Sequence, residues 1–112
     1  MILSKKDKKI ARQIIEKGLQ KEFAKGLYDF DSILHDWKTG KSDHRTAYHT
    51  LYKKVRDFDK HIARRYDGLT GSRYLSVVVA LIMDKIISEE ETSDFSPEAQ
   101  ELIERWLFVS KT

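Results

Sequence analysis

The sequence predicts an all-α fold, a compact bundle of four or five helices around a central apolar helix. Apolar residues recur three or four apart over long stretches, the spacing that lines one face of a helix. One Pro and five Gly in 112 residues leave those stretches nearly free of breakers. Residues suited to helix caps stand at their boundaries. The competing architecture is α+β, with Tyr74 to Ile82 as a strand.

Ser4 with Asp7 three residues on forms a loose capping box, so a first helix is expected from about Lys5. Ile10, Ile14, Ile15, Leu19, Phe23, Leu27, Phe30, Leu34 and Trp37 keep helical spacing to about Lys38, as one helix or as two joined near Gly18. Gly40 is placed as the residue that ends it. Ser42 or Asp43 then caps a second helix carrying Tyr48, Leu51, Val55, Phe58, Ile62 and Tyr66, which ends at Asp67-Gly68. The short connection makes the two an antiparallel hairpin, with Phe30, Leu34 and Trp37 facing Tyr48, Leu51 and Val55.

Tyr74 to Ile87 is apolar almost all round, the pattern of a central element. The run Val77-Val78-Val79 suits a strand, whereas Ala80, Leu81, Met83 and a length near fourteen residues suit a helix capped by Ser72. Ser88 with Glu91 marks a single helical turn. Ser96-Pro97 marks a last helix with Ser at the N-cap and Pro in its first position, directing Leu102, Ile103, Trp106 and Leu107 inward. The expected core is Phe23, Leu27, Phe30, Leu34, Leu51, Val55, Phe58, Ile62, Val78, Leu81, Ile82, Leu102 and Trp106. The length suits one domain, residues 1–112.

Composition narrows the chemistry. Without cysteine there are no disulfides, thiol nucleophiles or iron–sulfur clusters, which fits a reducing compartment. The N-terminus lacks the apolar stretch of a signal peptide, and Val77 to Met83 is too short to span a bilayer, so a cytoplasmic protein without membrane contact is expected. The net charge of +3 hides a strong asymmetry. Residues 1–21 carry +5 and 41–67 carry +4, while residues 88–104 hold seven acids and no base.

Candidate sites follow from these patterns. Gly68, Thr70, Gly71, Ser72 and Arg73 form a loop whose amides and hydroxyls suit an anion, although glycines that merely turn the chain explain most of it. The pairs Asp31/His35 and Asp57/His61 have ligand spacing, but a hairpin turning near Lys41 sets Asp57 and His61 opposite Glu22 to Gly26, away from His35. Asp31, His35 and His49 are the one set left open, and no metal site is assigned. Catalytic residues and cofactors have no signature here. The expected role is a non-enzymatic interaction or regulatory domain whose partner is another protein or a second copy, as a homodimer. Tyr28, Tyr52, Trp37 and Phe108, outside the main stripes, suggest self-association. The alternative is nucleic-acid binding through Lys53, Lys54, Arg56, Lys60, Arg64 and Arg65, with Lys5, Lys6, Lys8, Lys9 and Arg12 of the first helix.

Overall fold

A computed structural model describes residues 3–111. The fold is all-α, with α1 (Lys5–Lys38), α2 (His44–Tyr66), α3 (Tyr74–Met83) and α4 (Pro97–Lys111), and short 3-10 turns at Gly71–Arg73 and Glu89–Thr92. No strand occurs among the described residues, so Tyr74 to Ile82 is not a strand. The β-branched valines of α3 are buried on several sides, and helical packing outweighs their local preference for extended backbone. No helix among the described residues is long and apolar enough to cross a membrane.

Helix α1 runs unbroken through Gly18 and Gly26. Both glycines are there for room. A Cβ on Gly18 would stand 2.7 Å from Leu81, and one on Gly26 would stand 2.6 Å from the Phe58 ring. The end of α1 is the expected one: Gly40 is left-handed (φ 83°), its amide bonds the Trp37 carbonyl, and the Lys41 amide bonds that of Asp36. Asp43 is the N-cap of α2, accepting from the Thr46 amide at 2.7 Å.

The start and end of α3 differ from expectation. Ser72 is not its cap, because Gly71–Arg73 forms a 3-10 turn that runs straight into α3 and leaves Arg73 in the cap position. The helix stops at Met83 rather than Ile87. Lys85 adopts φ 60°, its amide bonds the Ile82 carbonyl, and the Ile86 amide bonds that of Leu81. This is the glycine-type helix ending built without a glycine. Ser88 and Glu91 form a capping box, and Ser96 caps α4 through the Ala99 amide.

The chain divides into two compact units, residues 1–19 with 68–112 and residues 20–67. The first unit has an apolar interior of Leu3, Ala11, Ile14, Ile15, α3 from Leu75 to Leu81, Ile87, Phe95, Ala99, Ile103 and Leu107. Leu81, Ile103 and Val78 are fully buried, each contributing about 1.5–3 kcal/mol. Asp7 is buried among them. Its carboxylate accepts from the Ser96 amide at 2.9 Å and the Ser96 hydroxyl at 2.6 Å, fastening the start of α1 to the start of α4. Burial raises the Asp7 pKa, but the Ser96 hydroxyl and amide outweigh it and hold the group below its ordinary value.

The second unit is the α1–α2 hairpin, antiparallel as expected. Trp37 meets His44 near the turn, Phe23 and Phe30 meet Phe58 farther along, and Glu22 meets His61 at the open end. Its interior matches the expected core only in part: Phe30, Leu51, Phe58 and Ile62 are half-buried. Phe23, Leu27, Leu34 and Val55 are exposed, and Ala47 is its one buried hydrophobic among the described residues. The line of α1 facing α2 passes through Glu22, Gly26 and Ile33, about a quarter-turn from the apolar stripe. The stripe is thus only partly covered, with Leu27 64% exposed, Phe23, Leu34 and Trp37 36–40% exposed, and Phe30 half-buried.

Candidate functional site

At about 100° per residue, Phe23, Leu27, Phe30, Leu34 and Trp37 occupy an arc of about 80° on one flank of α1. Tyr48, Tyr52, Val55, Ile62 and Tyr66 occupy a comparable arc of about 80° on one flank of α2. Both stripes lie on the same rotational side of the line joining the helices. In an antiparallel pair that places them on the same side of the hairpin, as one apolar and aromatic face interrupted by the exposed Asp59, which falls inside the α2 arc. Leu27 is 64%, Tyr48 65% and Tyr52 57% exposed. The aromatics named earlier separate here: Trp37 and Tyr52 belong to the face, Tyr28 projects from the opposite flank of α1, and Phe108 belongs to the other unit.

The other side of the hairpin is polar. A cavity of about 310 Å³ is lined by Glu22, Lys25, Gly26, Asp29, Lys54, Asp57, Phe58 and His61. Glu22 is buried at its edge and accepts from His61 Nε2 (2.7 Å), Arg65 (3.0 Å) and the Tyr66 hydroxyl. Burial raises the Glu22 pKa, yet the bonds from Tyr66 and His61 and the Arg65 charge prevail and hold it below its ordinary value. Tyr66 moves the other way, pushed up by burial and by donating to Glu22. The cluster is a charge-satisfied clamp at the open end of the hairpin. Sequence reasoning set His61 opposite Glu22 to Gly26 but did not identify Glu22 as buried. The available signal was its place on the α1 line that faces α2.

The anion-loop residues fall in the first unit. Gly68 is left-handed (φ 65°), and the Thr70 and Ser72 hydroxyls bond each other at 2.9 Å. The Arg73 amide already bonds the Thr70 carbonyl, and the Tyr74 amide that of Gly71. The Lys8 side chain passes over Gly71, with Cε 3.1 Å from where a Cβ would stand. Among the described residues no three His, Asp or Glu side chains gather as metal ligands, and Asp31, His35 and His49 form no such group. His61 bonds Glu22 rather than pairing along its own helix with Asp57.

Of the basic residues of α2, Arg65 is drawn into the Glu22 clamp and Lys54 lines the polar cavity. Lys53, Arg56, Lys60 and Arg64 are exposed and share an outward stripe about 80° wide, away from α1. Arg56 lies 5.9 Å over the Tyr52 ring and 4.0 Å from Asp57. Comparison with models of known families, with curated proteins and with solved structures finds no match to this chain.

Proposed function

We propose that this chain is a non-enzymatic protein-interaction domain that docks a partner on the aromatic face of the α1–α2 hairpin. The observation that carries the reading is the quantity of apolar surface left in water on one side of two helices. At roughly 150–250 Å² per large side chain, Phe23, Leu27, Leu34, Trp37, Tyr48, Tyr52 and Val55 expose on the order of 700 Å². The largest apolar patch of a typical monomer is about 300–600 Å². Tyr and Trp are also the residues that most often dominate the energetics of interfaces. A photo-crosslinking residue at Leu27 or Tyr52 tests this in cells: defined adducts are expected there and not from the same residue at Lys25 on the polar side. Equal labelling from both sides contradicts the reading.

A second reading is favoured by one observation, the stripe of Lys53, Arg56, Lys60 and Arg64. Four exposed cations along one helix face suit a phosphate backbone, and such binding weakens steeply with salt. Anisotropy titrations with mixed-sequence DNA and RNA at two salt concentrations discriminate the two. A steep salt slope that falls when Lys60 and Arg64 become Gln supports nucleic acid, and no binding at low salt removes it.

A further inference from the structure

We infer that the partner covering the aromatic face is a second copy of this chain, the two hairpins stacking face to face as a four-helix bundle. This rests on the interaction reading above and names its occupant. The first argument is area. The exposed apolar surface, on the order of 700 Å² by the side-chain sizes used above, is close to the ~800 Å² that each partner contributes to a standard stable interface. A face built of two amphipathic helices is itself half of a four-helix bundle, in which helices pack through apolar stripes of this kind. An identical face supplies the other half.

Charge at the rims selects the arrangement. The face and rim of α2 are net basic, with Arg45, Arg56 and Lys60 against Asp59, whereas the rim of α1 carries Asp31 and Lys38 and is balanced. A two-fold axis across the helices would lay α2 on α2 and bring the basic rims together. An axis parallel to the helices lays α1 of each copy on α2 of the other and keeps them apart. It also preserves level along the hairpin. Because Glu22 is level with His61 and Trp37 with His44, Asp31 comes level with Leu51 and Tyr52 of the second copy. The interface is isologous, so each contact occurs twice.

Sedimentation equilibrium of the full chain from micromolar to millimolar concentration tests the inference. Mass is expected to rise with concentration from 13.2 kDa toward twice that value. Leu27→Glu, at a side chain 64% exposed and therefore harmless to folding, is expected to weaken the dimer at least 100-fold with an unchanged helical circular dichroism spectrum. A mass of 13.2 kDa throughout, or a Leu27→Glu variant that dimerises like wild type, overturns the inference. A monomeric wild type that still crosslinks another protein through Leu27 overturns self-association while the interaction reading stands.

Discussion

The two units of the chain differ in what their helices bury. In residues 1–19 and 68–112 the apolar positions meet one another, and Leu81, Val78 and Ile103 are closed to water. In residues 20–67 the apolar stripe faces outward, and the helices are tied across their shared line by Glu22 with His61, Arg65 and Tyr66, by aromatic contacts to Phe58, and by Trp37 donating to His44 at 2.8 Å. Spacing shows that a helix has an apolar face. Burial depends on how many neighbours that face meets.

The largest expected effect lies in the first unit. Leu81→Ala or Ile103→Ala should cost about 3–5 kcal/mol in urea unfolding, the cost of emptying a fully buried aliphatic site. Leu27→Ala in the hairpin should cost no more than about 0.5 kcal/mol at concentrations where the chain is monomeric. Comparable losses at both positions would break the contrast.

Next comes the clamp. Glu22→Ala leaves the largely buried Arg65 without its carboxylate and should cost about 3 kcal/mol, most of it in hairpin unfolding. Because the folded pKa of Glu22 lies below its ordinary 4.5, its contribution is complete above that value and is lost as pH falls through the folded pKa. Acid titration followed by NMR of hairpin amides should therefore show the hairpin loosening below about pH 4.5, and Glu22→Gln should flatten that dependence. Asp7 has the same sign, with its window beginning below the ordinary 3.8. Asp7→Ala should destabilise the first unit by about 2 kcal/mol, through two lost bonds to Ser96. One substitution should bring a gain. Lys85→Gly should stabilise by about 0.5–1 kcal/mol, since a glycine adopts the left-handed conformation at φ 60° without the cost a side chain incurs.

The legible parts of the fold were those with local chemical signatures. Asp43, Gly40, the Ser88/Glu91 box and Ser96-Pro97 each act within a few residues of themselves, and they lie where the sequence puts them. The end of α3 was hidden because a lysine does the work of a glycine there. Asp7 looked like a partner for Ser4; the Asp7 amide does bond the Ser4 hydroxyl at 3.1 Å, but the carboxylate goes to Ser96, 89 positions away. No local pattern carries that information. The aromatic face was misread as core for a similar reason: helical spacing groups Phe23, Leu27 and Leu34 on one side but does not count the neighbours on that side.

The most direct test of the account is residue-resolved hydroxyl-radical footprinting of the wild-type chain at low and high concentration. Tyr28 at 77% exposure and Phe108 at 70% lie off the face and serve as internal references. Leu27, Tyr48 and Tyr52 should react readily in the dilute monomer and become protected several-fold as concentration rises, with Tyr28 and Phe108 unchanged. Protection of Tyr28 or Phe108 while Leu27 and Tyr52 stay reactive would contradict it, as would Leu27, Tyr48 and Tyr52 remaining equally reactive at every concentration.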